Sequence, residues 1–226
     1  MMPKNILIVV AHPDDETISM AGTIRKHVND GHSVKIISMT DGVSARLKSK
    51  AKDAVNRRKS AEKASKILGF SWEALHNFND NAMDSYPLIE IIKCIEKIKK
   101  KLQPDLVYTH SGADLNIDHR IVSNAVLTAF RPEPNEKCKE IRLFEVPSAT
   151  DYGHPSLTKT FFPNLFISIE KTWKDKEEAL KAYRTEMRAF PHSRSIDGIK
   201  NLAKVRGNQV GYSYAEAFEV IRKLVD

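Results

Sequence analysis

The chain has 226 residues, 41% hydrophobic and 29% charged, with 36 basic against 29 acidic side chains and a formal net charge of +7. That length suffices for a full core and is read as one domain, 1–226, in a balance that excludes disordered and fibrous chains. No apolar run approaches a membrane span, no leader-type segment precedes the first hydrophobic run, and two cysteines make no disulfide framework, so a cytoplasmic protein without an integral membrane segment is expected.

Ile6-Leu7-Ile8-Val9-Val10 is an unbroken apolar run and predicts a buried parallel strand. In the helix that follows, Ile18, Ala21, Ile24 and Val28 share one face, and Asn29-Asp30-Gly31 is its stop. Ser33–Met39 predicts a second strand with Thr40-Asp41-Gly42 as its loop, and a charged helix is expected from Lys50 to Leu68 before Gly69. A short strand over Ala74–Phe78 leads to the clearest helix, where Leu88, Ile91, Ile92, Ile95, Ile98 and Leu102 form an apolar stripe. Pro104 ends it and Asp105–Thr109 forms the next strand. Ile141–Val146 and Asn164–Ile169 predict two strands of a partly antiparallel extension, and helices are expected over Lys174–Ala189, Ser195–Arg206 and Tyr214–Leu224. The alternation of strand and helix predicts an α/β, Rossmann-like three-layer fold: a mostly parallel sheet flanked by helices.

Basic residues cluster between Arg46 and Lys66, including Arg57-Arg58-Lys59. Such a run suits an anionic ligand or a solvated helix face; no nucleic-acid motif accompanies it, and nucleic acid is not expected as a partner. Cys94 and Cys138 lack metal-type spacing.

Chemistry concentrates at two strand ends. Ala11-His12-Pro13-Asp14-Asp15-Glu16 follows the first strand, and an open α/β sheet places its active groups at the carboxyl ends of strands. Imidazole and carboxylate suit zinc, and a second carboxylate can serve as base. No Gly-rich phosphate loop stands here, which argues against a nucleotide-binding module. The loop from Thr109-His110 through Asn116-Ile117-Asp118-His119-Arg120 leaves another parallel strand and can converge on His12 with a third ligand.

With these motifs the chain resembles the PIG-L (LmbE-like) family of zinc-dependent N-acetylglucosaminyl deacetylases. Further matches are Arg57-Arg58 ahead of Ile67-Leu68-Gly69, Asn79-Asp80, Phe190-Pro191-His192-Ser193-Arg194-Ser195, Arg206-Gly207 and Ala215-Glu216-Ala217-Phe218. The resemblance implies His12, Asp15 and His119 as zinc ligands and Asp14 as general base; should Asp14 prove dispensable, the base role passes to Asp118. It implies an N-acetylated amino-sugar substrate contacted by Arg58 and Asp80, and a pocket rim near His154, His192 and Arg194. Iron or manganese suits the same donor set, and a homo-oligomer stays open. One departure stands out: the family's His-Pro-Asp-His motif reads Asn116-Ile117-Asp118-His119. Oxyanion stabilisation then falls to the Asn116 amide or to His110 from the same strand.

Overall fold

The computed structural model describes residues 2–46 and 51–225. Seven strands, β1 (Asn5–Val10), β2 (Ser33–Thr40), β3 (Ser71–Phe78), β4 (Leu106–His110), β5 (Glu140–Phe144), β6 (Leu165–Ser168) and β7 (Ala215–Lys223), form one sheet. Its order is β3-β2-β1-β4-β5-β7-β6, with β1 to β5 parallel and β7 antiparallel to both of its neighbours. The helices are α1 (Asp15–Asn29), α2 (Ala51–Leu68), α3 (Leu88–Leu102), α4 (Ile117–Ala129), α5 (Trp173–Ala182) and α6 (Ile196–Asn208). The expected start of the second helix at Lys50 lies outside the described residues.

The three layers follow from burial on both faces of the sheet. Ile6, Ile8 and Val10 of β1 pack into a core shared with α1, α2, α5 and α6. Leu7 and Val9, with Ala11 just beyond, pack into a second core with α3 and α4. Such a strand shows no polar alternation, which is why it reads as a continuous apolar run. β2 lies on one side of β1 and β4 on the other. The chain therefore reverses its travel across the sheet between β1 and β4, and their loops lead to helices on opposite faces. That switch point leaves a crevice at the strand ends.

Three expectations need correction. Tyr214–Leu224, expected as a helix, is instead β7, hydrogen-bonded between β5 and β6. Phe218, Ile221 and Leu224 recur every three residues, but Ile221 and Leu224 are exposed and only Phe218 is core; sheet pairing outweighs the local period. The helix expected to reach Ala189 ends at Ala182, and the chain from Tyr183 to Arg194 turns towards the strand ends. The stretch after Asn116, read as loop, is α4: the Asn116 side chain accepts the Asp118 amide as N-cap at 2.8 Å, and Val122, Ala125, Val126 and Ala129 form its buried face.

α1 is two helical segments joined at Met20 (φ −140°, ψ 24°). Glu216 of β7 accepts the amides of Gly22 and Thr23 at 3.1 and 2.7 Å and pairs with Lys176 Nζ at 2.6 Å, so a side chain inserted into the ladder accounts for the break. A Cβ on Gly22 would meet Ile169 Cγ2 at 2.6 Å, which makes glycine a requirement of that close approach. No helix among the described residues is long and apolar enough to cross a membrane.

Candidate active site

Three consecutive carboxylates at the start of α1 meet three different surroundings. Asp14 is the N-cap residue, but its side chain makes no capping bond; it faces a cavity, where Oδ2 pairs with Arg57 Nη1 at 2.9 Å. Asp15 points inward, and its Oδ2 accepts the His12 amide at 2.9 Å. Glu16 turns away to the core, where Oε1 accepts from Tyr183 OH at 2.9 Å and Thr17 Oγ1 at 2.7 Å. Burial, reinforced by the Asp14 charge, pushes the Glu16 pKa up to about 8. Glu16 is thus turned into the core, while Asp14 faces the cavity and Asp15 the histidines.

His119, in the first turn of α4, meets this group from the other side of the switch point. His12 Nδ1 lies 3.1 Å from His119 Nε2 and 3.2 Å from Asp15 Oδ2, and the latter two are 3.3 Å apart. A tetrahedral ion with bonds of about 2.0–2.1 Å sets its ligands about 3.3 Å from one another, so the three atoms match one face of such a shell. The opposite ring nitrogens complete the pattern. His12 Nε2 lies 3.2 Å from Asp118 Oδ2 and 3.1 Å from Asp80 Oδ1, and His119 Nδ1 lies 2.9 Å from Asp114 Oδ2. Carboxylates behind imidazoles fix the tautomer that leaves the other nitrogen free to ligate. Asp15 Oδ1 is buried without a hydrogen-bond partner.

The electrostatics agree. Burial disfavours charge on both imidazoles, yet Asp15 with Asp118 and Asp80 raises His12 well above its usual value, and Asp15 with Asp114 pushes His119 up to about 9. Burial also opposes ionisation of Asp15, but His119 and His12 hold it well below the usual carboxylate range. The cluster draws positive charge to its centre, as a cation site must.

The cavity above the cluster measures about 290 Å³, and His12, Asp14, Asp80, Asn116 and His119 line it. A larger hollow of about 710 Å³ lies between the end of α3 and residues 133–139, away from this cluster. Arg58 is not at the cavity: it is exposed and donates to Asn77 Oδ1 at 3.1 Å. Its neighbour Arg57 takes the place expected for it, buried, with Nη1 also on Pro13 O at 2.9 Å and Nη2 on Gly42 O and Glu186 Oε2 at 3.1 and 2.6 Å. The signal was present in the sequence, because Arg57, Ala61, Ala64 and Leu68 form the buried stripe of α2.

His110 is not at the cavity either. It is fully buried, its ring stacks on His119 with centroids 4.0 Å apart, and Nε2 accepts the Ala11 amide at 2.9 Å. Burial and the neighbouring His119 keep it well below the usual histidine value. It buttresses His119, and its ring is sealed from the cavity. Asp118 is likewise sealed, accepting the amides of Asn81 (2.7 Å) and Met83 (3.1 Å) besides facing His12, and it does not line the cavity. Asn116 does line the cavity, with Nδ2 on Asn81 Oδ1 at 3.0 Å. Asp114 and Glu186 join the site without any motif to mark them, and Arg57 stands in the sequence only as part of the Arg57-Arg58 match.

The family model for GlcNAc-PI de-N-acetylase (PIG-L) matches residues 7–130, more than half of the chain and both halves of this cluster. The chain belongs to the PIG-L family. The PIG-L relatives include an uncharacterized deacetylase, YaiS, of Escherichia coli (strain K12), 28% identical over 188 residues that span 80% of this chain and 91% of YaiS. They also include the 4-oxalmesaconate hydratase of Pseudomonas putida, 26% identical over 201 residues, 79% of this chain and 72% of the hydratase. The solved structure of N,N'-diacetylchitobiose deacetylase from Pyrococcus horikoshii shares 25% identity at a TM-score of 0.77, across 97% of this PIG-L chain and 84% of that one.

Proposed function

We propose that this protein is a divalent-metal-dependent hydrolase that removes the acetyl group from an N-acetylated amino sugar, with His12, Asp15 and His119 holding the ion. The observation that carries the reading is the trio of donor atoms 3.1–3.3 Å apart, with His12 and His119 at the cavity and Asp15 buried behind them, beside the Asp14 carboxylate that is not one of the three. When bound, such an ion supplies Lewis acidity and makes water acidic enough to ionise near neutral pH; zinc is the first candidate for the donor set.

The chain's own groups do the rest. Asp14 takes a proton from the attacking water and, once protonated, returns it to the departing amine. Arg57 holds the Asp14 carboxylate in one orientation by its 2.9 Å ion pair. Asn116 is the candidate oxyanion donor that faces the cavity. Asp80, at the same wall, presents a carboxylate suited to sugar hydroxyls.

The test is chemical. Protein loaded with zinc, iron(II) or manganese is incubated with N-acetylglucosamine glycosides, and acetate and free amine are measured; equal amounts of both are expected. No release from any of them, with water added instead across the double bond of an unsaturated acid, would replace this reading by that of the hydratase relative.

A further inference from the structure

Four arginines line the cavity, Arg46, Arg57, Arg188 and Arg194. Two are neutralised: Glu186 Oε2 accepts from Arg46 at 2.7 Å and Arg57 at 2.6 Å, and Arg57 also pairs with Asp14. The other two are not. Among the described residues the exposed Arg188 side chain has no carboxylate partner. Among the described residues Arg194 has only a long approach to Asp14, at 3.9 Å, and its buried Nε finds no hydrogen-bond partner there. The two are joined through the backbone, Arg188 N donating to Arg194 O at 3.2 Å. The His192 ring accepts the Arg194 amide at 3.0 Å, and Ser195 caps α6 immediately after. A braced turn therefore presents two unspent guanidinium groups to one cavity wall.

Guanidinium forks match carboxylate and phosphate oxygens in charge and geometry, better than they match neutral hydroxyls. We propose that the substrate is an acetamido sugar carrying a compact anionic substituent, carboxylate or phosphate, which Arg188 and Arg194 bind. This rests on the deacetylase reading for the sugar and its acetamide, but not for the anion. A cavity of about 290 Å³ is at the small end of ligand pockets and suits one ring with such a group.

Three matched N-acetylglucosamine derivatives test it: the neutral methyl glycoside, the glycoside of a hydroxy acid and the 1-phosphate. Binding of each acetamide and of its free-amine product is measured by titration calorimetry on the metal-loaded protein, alongside kcat/KM for acetate release. One acidic series should bind about tenfold to a hundredfold more tightly than the neutral one, the range of a charge-assisted hydrogen bond, and the better of the two names the anion. The preference should fall towards one in Arg188→Gln and in Arg194→Gln. It should persist in Arg184→Gln, which removes the same charge from an exposed position off the cavity. Equal binding of neutral and acidic sugars, or a preference that survives both cavity substitutions, overturns the proposal even if acetate is released. An arginine-dependent preference without acetate release from any compound would leave the anion site standing and remove the deacetylase reading.

Discussion

Arg57 joins Asp14, Glu186 and the carbonyls of Pro13 and Gly42 in one buried fan of donors. Burial opposes its charge, yet Asp14 and Glu186 hold its pKa above the usual value. Taking the guanidinium away would leave the buried Asp14 carboxylate without its close partner and Glu186 with Arg46 alone, and breaking a buried pair costs roughly 3–5 kcal/mol. Arg57→Lys is the more telling change, because it keeps a charge but not a fork able to reach four acceptors. We expect Arg57→Lys to keep its bound metal and to lose about tenfold or more in kcat, the loss of one or two charge-assisted hydrogen bonds. Metal analysis and initial rates on the same preparation check it; wild-type turnover would show that Asp14 needs no such orientation. Arg57 was legible as a charge on a helix, and the stripe it shares with Ala61, Ala64 and Leu68 points inward. Asp114 was not legible in that way. Nothing periodic marks it, and only the fold brings its Oδ2 to within 2.9 Å of His119 Nδ1.

At the scale of elements, the entry of α1 into the site depends on a partner from the far end of the chain. Glu216 supplies acceptors to the broken turn at Gly22 and Thr23 while Lys176 neutralises it, and both side chains are buried. Glu216→Gln should leave the Lys176 ammonium buried without a counter-charge and lower stability by about 3–5 kcal/mol. Urea unfolding measures this, and pairing the change with Lys176→Met should recover part of the loss; a decrease below about 1 kcal/mol would show that the pair is not what secures the kink. The same elements show what a sequence discloses. β1 was readable because two buried faces leave no polar residue in the run, and α3 because Ile91, Ile95 and Ile98 share one buried side. β7 was not: Ala215–Phe218 are buried in succession and show no alternation, the rest of the strand is more exposed, and its apolar residues fall by chance at helical spacing. The early end of α5 was hidden for a related reason: Tyr183 and Glu186 continue the helical pattern but are claimed by Glu16 and Arg57.

Across the whole molecule, the site exists because the sheet changes direction between β1 and β4. One strand end delivers His12, Asp14 and Asp15, the other His119, and each imidazole is backed by a carboxylate of the α4 side, Asp118 or Asp114. Convergence of the two strand-end motifs was foreseeable from parallel strands alone; which groups stand behind the two imidazoles was not, because that depends on α4 and its cap. In the proposed mechanism labour is divided: Asp15 ligates and Asp14 moves protons. Asp14→Asn tests it most directly, with metal stoichiometry and acetate release from an N-acetylated amino sugar measured on one preparation. Unchanged metal content is expected, with turnover reduced on the order of 10²-fold or more, the usual cost of losing a general base. Near-normal turnover, or loss of the metal together with activity, would contradict it.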